Sequence, residues 1–306
     1  MKVRVLGSAA GGGFPQWNCN CRNCSGVRNG TLRAHPRTQS SIAVSGRDPL
    51  RWALVNASPD ILAQLRANPV LQPARSLRDT AISAIVLVDG QIDHTTGLLM
   101  LRESTAALSV WCTDSVYADL TGGHPVLSVL GHYCGVERRR MSPDAHEFAV
   151  DGVEGVSWRA LAVAGSPAPY SPHRGAQVAG DNVALVMRDT ASGRTLVYAP
   201  GLLSIEEELW RYMQSAACVM VDGTFWSDDE LPSLGLSRRS ARDMGHLPQS
   251  GRGGMLEWLG RLPESSRRIL IHVNNTNPIL DEDSAPRAEL TRRGIEVARD
   301  GLEIEL

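Results

Sequence analysis

The sequence predicts an α+β fold in which helices cover two packed β-sheets. Short β-branched runs, each ended by Gly, Pro, Asn or Asp, recur along all 306 residues. Helical patterns lie between these runs in both halves of the chain, and no fixed-period repeat or long low-complexity linker separates the halves. We therefore expect one domain that spans residues 1–306.

The elements can be assigned in chain order, with antiparallel neighbours in both halves. The predicted strands are residues 3–6, 41–44, 51–55, 84–88, 107–111, 156–163, 183–187, 195–198, 218–221 and 268–272. The first predicted helix is residues 59–67, where Ser58 can cap and Pro59 can take the first helical position. The other predicted helices are residues 95–103, 115–120, 206–213 and 254–262.

The composition is that of a globular protein and excludes two classes of partner. The sequence is 42% hydrophobic and 21% charged, with a formal net charge of −2, so no overall field favours nucleic acid or an anionic membrane. No apolar run is long enough for a membrane span, and the first residues indicate a strand rather than a signal peptide. The sequence leaves the oligomeric state open, with a homodimer as one option.

Three of the six cysteines are crowded into the stretch WNCNCRNC, as Cys19, Cys21 and Cys24. Thiolates this close cannot all pair with one another, and their spacing favours a structural tetrahedral zinc site whose fourth ligand comes from elsewhere. A redox role is the alternative. This usage of cysteine is typical of a reducing compartment, so we expect a cytoplasmic protein. Cys112, Cys134 and Cys218 lie in or beside apolar runs and are expected to be buried thiols.

Polar side chains of the types that bind metals follow several predicted strands. They are Asn56 and Asp60, then Asp89, Gln91, Asp93 and His94, then Asp222, and finally His272, Asn274 and Asn275. A further loop carries His246. In a layered fold, reactive residues sit on loops that follow strand ends. Each of these residues also has a purely structural alternative. Asp93 can cap a helix beside a buried His94, Asp222 can cap a turn, and His246 can be a histidine of a surface loop.

This order of motifs is similar to that of the metallo-β-lactamase superfamily and implies its four-layer αβ/βα sandwich. The superfamily motif His-x-His-x-Asp-His falls on Asp89-x-Gln91-x-Asp93-His94. The resemblance implies that one of two metal pockets has lost its leading imidazoles, whereas Asp93, His94 and His272 keep the ligands of the other. Two histidines and one carboxylate with open positions are typical of non-haem Fe(II) sites, although zinc can occupy such a site in crystals.

The same resemblance suggests roles for the neighbouring residues. Asp89 and Gln91 are weak ligands, substrate contacts or, as we rank first, residues that orient His94. His246 and Asp222 are candidate proton-handling residues, and Asp222 can instead orient a ligand. In a related phosphodiesterase subgroup of phosphonate metabolism, a histidine completes the cysteine site. Asn275 takes that position here, so the fourth zinc ligand is Asn275, water or another residue.

Longer segments resemble a family of proteins of pyrroloquinoline quinone (PQQ) biosynthesis. They include VLGSAAGGGFPQWNCNCRNC, QIDHTTGLLMLRE, VDGTFWSDDE, MGHLPQSG and HVNNTNPIL. The resemblance implies iron-dependent hydroxylation of the tyrosine ring of a dipeptide-like Glu-Tyr-derived precursor. The alternatives are a non-catalytic carrier that binds PQQ or its precursor and assists transport to the periplasm, and a hydrolase. An acidic, aromatic ligand would need cationic contacts, for which Arg102, His173 and Arg174 are candidates. The alternative for each of them is a solvated surface charge.

Overall fold

The computed structural model describes residues 1–144 and 146–306. Its strands are β1 Lys2–Gly7, β2 Ser41–Ser45, β3 Trp52–Val55, β4 Ile82–Val86, β5 Leu108–Cys112, β6 Val136–Arg140, β7 Val156–Ala162, β8 Val183–Asp189, β9 Thr195–Ala199, β10 Cys218–Asp222, β11 Arg267–Ile271, β12 Ile295–Val297 and β13 Glu303–Glu305.

The α-helices are short and lie between the strands. They are α1 Arg22–Asn29, α2 Ile61–Ala67, α3 Ile92–Thr95, α4 Asp114–Thr121, α5 Val126–Leu130, α6 Glu207–Ser215, α7 Glu230–Ser233, α8 Met255–Gly260 and α9 Ala285–Arg292. Four 3₁₀ turns in the same ranges cover Pro69–Leu71, Thr96–Leu101, Arg242–Met244 and Pro278–Leu280. Among these described residues, no helix is long and apolar enough to cross a bilayer.

The described strands form two mixed sheets. One has seven strands in the order β13-β1-β2-β3-β4-β5-β6, and the other has six in the order β12-β11-β10-β9-β8-β7. In the first sheet the pairs from β13 to β3 are antiparallel and those from β3 to β6 are parallel. In the second sheet β7, β8 and β9 pair antiparallel, and β9 to β12 pair parallel.

The hydrophobic side chains divide into layers that follow the two faces of each strand. On β10, Cys218 and Met220 join the cluster between the sheets, whereas Val219 and Val221 join the cluster that contains α6 and α8 residues. On β2, Ile42 faces the other sheet while Ala43 packs with residues of α2, α4 and α5. The chain is therefore the predicted α+β sandwich with helices outside two sheets, the four-layer αβ/βα arrangement.

Antiparallel neighbours occur in both halves of the chain, as predicted, but the sequence did not reveal the parallel pairs that complete each sheet. Parallel neighbours need a crossover, and α2, α4, α6 and α8 lie in the connections between such strands. The strands β6, β12 and β13 were not predicted; β6 reads VERRR, without the apolar alternation that marks a half-buried strand. The predicted helix at residues 95–103 is instead α3 followed by a 3₁₀ turn. The single domain remains a prediction.

The contribution of the inter-sheet core can be measured at Trp158. Its side chain is 0% exposed and packs with residues of both sheets, so Trp158→Ala should cost about 3–5 kcal/mol through lost burial and a cavity. Trp17, which is 86% exposed, supplies a matched control, and Trp17→Ala should change stability by less than about 0.5 kcal/mol. Urea unfolding followed by circular dichroism measures both; equal losses would contradict the assigned core.

Candidate metal centre

The candidate site is a cavity of about 420 Å³ where loops after several strands meet. Ala10 and Gly11 follow β1, Thr224 follows β10, and His272 follows β11 directly. Gly11 has no side chain, which lets Asp93 on the opposite wall come close. A Cβ on Gly11 would lie 3.3 Å from Asp93 Oδ2. The glycine-rich loop that follows β1 therefore allows the backbone to approach a carboxylate closely.

Asp93, His94 and His272 each bring one ligand atom to a common point, with these atoms all within 4.8 Å of one another. His272 Nε2 lies 3.3 Å from Asp93 Oδ2, and His94 Nε2 lies 3.8 Å from the same oxygen. Metal–ligand bonds of about 2.1 Å place neighbouring ligand atoms roughly 3 Å apart, so this spacing suits one divalent cation. The predicted ligand set thus converges in space.

His94 is held by Asp89 in the orientation that a metal ligand needs. Its Nδ1 lies 2.8 Å and 2.9 Å from the two Asp89 carboxylate oxygens, so Nδ1 carries the proton and donates it. In the neutral ring the lone pair is therefore on Nε2, which is buried and has no hydrogen-bond partner among the described residues. An unpartnered buried nitrogen aimed at a carboxylate and a second imidazole fits a cation.

His272 is oriented by a second chain of hydrogen bonds. The Thr224 hydroxyl donates to Asp222 Oδ1 at 2.6 Å, so its oxygen accepts the Nδ1–H of His272 at 2.9 Å. Nε2, which faces Asp93, therefore carries the lone pair when the ring is neutral and donates to Asp93 when the ring is protonated. His272 also has a φ of 61°, a left-handed conformation that costs a non-glycine residue about 1–3 kcal/mol. Such strain at the end of a buried strand is typical of functional sites.

His246 is the third imidazole at the cavity, and Asp222 lies behind it. His246 Nδ1 donates to Asp222 Oδ2 at 2.7 Å, and the ring stacks on that of His272 with centroids 5.6 Å apart. Asp222 is 0% exposed, does not line the cavity, and accepts further bonds from Leu202 and Thr224. The carboxylate is therefore enclosed and placed to orient His246, as one of the sequence alternatives has it, and proton handling by Asp222 stays a prediction.

The charges at the site shift the pKa values of its groups. Burial opposes ionisation of Asp93, but the charge of His94 and the hydrogen bond from His272 outweigh it and hold the pKa of Asp93 below its usual value. Burial lowers the pKa of His94, yet Asp89 and Asp93 raise it overall to about 9, so a cation that binds Nε2 must displace a proton from it. The pKa of Asp222 is likewise lowered, because His246 outweighs the effect of burial. The carboxylates thus remain ionised and attract a cation.

Removing the carboxylate that orients His94 should weaken metal binding. Asp89→Ala leaves the His94 Nδ1–H without its acceptor, and loss of such a partner typically lowers metal affinity about 10–100-fold. Asp119→Ala is the matched control, since Asp119 is also buried but contacts neither imidazole. Competition with a chromophoric chelator gives the dissociation constants. Equal affinities in both variants would contradict the orienting position of Asp89.

The three clustered cysteines face Asn275 across the start of α1. Cys21 caps α1, and Asn275 Nδ2 lies 3.1, 3.7 and 3.3 Å from the sulfurs of Cys19, Cys21 and Cys24. Around tetrahedral zinc, a sulfur and an oxygen ligand lie about 3.6 Å apart. A half-turn of the Asn275 amide puts Oδ1 at these distances, so the residues present fit a zinc ion with three thiolates and one carbonyl oxygen.

The cysteine cluster predicts a specific metal content. Cys24→Ser should remove about one zinc equivalent per chain and lower the unfolding temperature, because the thiolate site closes around the metal. Cys134→Ser is the control, since Cys134 lies outside the cluster. Elemental analysis by mass spectrometry together with thermal unfolding measures both effects. Unchanged zinc in the Cys24 variant would rule out this site as the location of the metal.

Of the three residues predicted to contact a substrate, the structure places one in the lining of the cavity and two outside it. Arg174 lines the cavity, as predicted for a substrate contact. Arg102 does not: it is exposed beyond the 3₁₀ turn and contacts Leu99 and Glu103. His173 is also outside the lining and lies 3.5 Å from Asp181. Arg102 and His173 thus match the alternative of charges outside the cavity, and their contacts with a ligand stay predictions.

Gln91 also differs from its predicted position. Its side chain donates to the Ser166 carbonyl at 3.1 Å and makes no contact with His94, although it lines the cavity. Two residues that sequence reasoning missed are Thr224 and Arg239. Thr224 stands two residues after the strand-end Asp222, and Arg239 belongs to a basic pair in a Ser-rich loop. Both signals are visible in the sequence but are too common to single out alone.

Comparison with known proteins agrees with this geometry. The family model described as "Beta-lactamase superfamily domain" matches residues 51–273. A diphosphatase of the PhnP family has a TM-score of 0.68 at 17% identity, over 100% of this chain and 97% of its own, which shows the fold alone. The fold and the site therefore define a member of the metallo-β-lactamase superfamily.

The relatives define the family more narrowly. Coenzyme PQQ synthesis protein B of Azoarcus sp. (strain BH72) is 61% identical over 100% of both chains, and that of Methylobacillus flagellatus is 55% identical over 100% of both. The crystal structure of Zn²⁺-bound PqqB from Methylobacterium extorquens has a TM-score of 0.91 at 36% identity, again over 100% of both chains. The chain belongs to the coenzyme PQQ synthesis protein B family.

Proposed function

We propose that this chain is an Fe(II)- and O₂-dependent hydroxylase that adds oxygen to the tyrosine ring of a Glu-Tyr-derived PQQ precursor. A role in PQQ biosynthesis rests on the family, whose members align along their whole length. The hydroxylation step rests on the site. Asp93, His94 and His272 form a two-histidine, one-carboxylate set beside an open cavity, as in non-haem iron oxygenases.

The proposal rests mainly on the contacts of Asp89 and Gln91, which occupy the first two positions of the superfamily motif. Asp89 bonds Nδ1 of His94, and Gln91 bonds the Ser166 carbonyl, so neither side chain is directed as a ligand of a second ion. Two-metal hydrolysis needs two ions about 3.5–4 Å apart. A single ion with free positions toward a cavity instead suits redox chemistry on a bound substrate.

The remaining residues have definable tasks in this reaction. Iron held by Asp93, His94 and His272 would supply the electrons that activate O₂. His246 donates Nδ1–H to Asp222, so its Nε2 is free to accept the proton that leaves the ring carbon during hydroxylation. Arg174 and Arg239 line the cavity and are exposed, which suits the carboxylates of an acidic precursor. The adjoining loops bury His94 and His272 and limit access of water.

The overall reaction needs an external reductant. One oxygen atom of O₂ enters the ring as a hydroxyl group, the ring proton leaves, and the second oxygen atom becomes water. Two electrons must therefore come from a reductant such as ascorbate. The Methylobacterium extorquens relative binds Zn²⁺, and Zn²⁺ outcompetes Fe²⁺ at most nitrogen and oxygen sites. Activity should therefore be measured after chelation and anaerobic loading with Fe(II).

The proposal predicts that hydroxylation depends on His272. The Fe(II)-loaded protein with ascorbate and a synthetic crosslinked Glu-Tyr diamino acid should consume O₂ and yield a product heavier by one oxygen atom. His272→Ala removes one of the three ligand side chains and should lower the rate at least about 100-fold. The control His132→Ala changes an exposed histidine that lies outside the cavity lining and should leave the rate unchanged. Equal rates in the two variants would contradict a metal role for His272.

The carrier function is the second candidate, since exposed arginines beside the cavity favour an acidic ligand whether or not it reacts. The same assay separates the two functions. A carrier would bind the precursor or PQQ in a calorimeter and produce no oxygenated product with Fe(II), O₂ and ascorbate. A retained hydrolase would instead cleave phosphodiester or lactam substrates when loaded with Zn²⁺ or Mn²⁺. Cytoplasmic location and a homodimer remain predictions of the sequence.

A further inference from the structure

Glu230 is a buried carboxyl group that the proposed reaction does not use. The residue is 6% exposed, and no cation lies within salt-bridge distance of it among residues 1–144 and 146–306. Burial raises the pKa of Glu230 to about 7, although hydrogen bonds from Thr276 and Trp226 oppose the rise. Burying a carboxyl group without a partner of opposite charge costs free energy of folding. The contacts of Glu230 should therefore explain why the group lies beside the site.

Those contacts form a directed chain toward the cavity. The Trp226 backbone N–H donates to Glu230 Oε2 at 2.7 Å, and the Thr276 hydroxyl donates to Oε1 at 2.6 Å. Because the Thr276 hydrogen is used in this way, its oxygen accepts from Asn274 Nδ2 at 2.6 Å. Asn274 lines the cavity, whereas Thr276 and Glu230 do not. The amide nitrogen therefore points toward Thr276 and leaves Oδ1 as the group available to a ligand.

We propose that Glu230 is a positioning residue that acts through Thr276 to present the Asn274 carboxamide oxygen to the cavity, where it accepts a hydrogen bond from an ammonium group of the ligand. When Glu230 is ionised the chain ends on a carboxylate, so each hydrogen bond in it is polarised with its negative end toward the cavity. This polarity favours a cationic donor over a neutral one. The inference rests on the proposed function, which makes the ligand an amino-acid derivative. It adds that Asn274 recognises the ammonium group of that ligand.

The substitution Glu230→Gln tests the direction of the chain with almost no change in volume. The Trp226 N–H still requires an acceptor and takes the glutamine oxygen, so the new NH₂ group points at Thr276. Thr276 must then donate to Asn274, whose amide turns to bond through Oδ1. The cavity now meets Nδ2, a donor that disfavours an ammonium group.

The experiment is calorimetric binding to the zinc-loaded protein, which cannot turn over. The probes are L-tyrosine and 3-(4-hydroxyphenyl)propanoic acid, which differ only in the amino group. The wild type should bind L-tyrosine about 10-fold more tightly than the acid, and Glu230→Gln should abolish that preference while leaving affinity for the acid unchanged. Asp229→Asn is the matched control, since Asp229 is bonded to Ser227 and has no link to Asn274; it should keep the preference.

Two further variants keep the test valid if Glu230→Gln fails to fold. Asn274→Ala removes the recognising oxygen and Thr276→Val breaks the chain while Glu230 stays in place, so both should reduce the preference for the amine. Equal binding of the two probes by the wild type, or an unchanged preference in these variants, overturns the proposal. If the wild type hydroxylates the precursor but the variants keep the preference for L-tyrosine, this inference alone is overturned. If the variants lose the preference but the wild type does not hydroxylate the precursor, only the proposed reaction is overturned.

Discussion

The site depends on the acceptors that hold the Nδ1–H groups of three imidazoles. Asp89 holds His94, the Thr224 hydroxyl holds His272, and Asp222 holds His246 directly and Thr224 through its hydroxyl. Each acceptor fixes the tautomer, so that each ring has its lone pair on Nε2. Without these bonds the rings could rotate or exchange tautomers, and their convergence would be lost. Asp222 supports two of the three rings, which explains why so buried a carboxylate is satisfied by several donors.

The fold provides this arrangement through the register of two parallel strands. Asp222 ends β10 opposite Ile271 on β11, so the next residue, His272, lies beside Asp222 and the Thr224 that follows it. A left-handed φ at His272 then turns the chain at the strand end, and the bridge between Ala9 and Val273 ties this turn to the loop after β1. The strain of about 1–3 kcal/mol is thus confined by pairing on both sides.

Much of the fold could be predicted because strands depend on short-range patterns, whereas the proposed ligand set follows from the resemblance to the superfamily motif. Polar residues such as Asp89 and His272 stand where β-branched runs stop, and such strand ends meet in a layered fold. What could not be predicted depends on side-chain direction and long-range pairing. Arg102 follows a 3₁₀ turn rather than the predicted helix and so faces away from the cavity, while Gln91 bonds a loop 75 residues further along the chain. Local sequence does not determine either choice.

Charge balance connects the metal pocket with the ligand that the cavity is suited to hold. Asp89, Asp93 and Asp222 crowd around imidazoles that are neutral when they serve as ligands or proton acceptors, so a single divalent cation leaves about one negative charge uncompensated. A second divalent cation would make the net charge positive. The side chains at the two leading motif positions, Asp89 and Gln91, already bond other groups. With one cation, the positive charge that an acidic ligand requires must come from the exposed Arg174 and Arg239. In the proposed function, the side chains at the leading motif positions and the arginines beside the cavity therefore serve the same end, which is to bind an acidic ligand beside one ion.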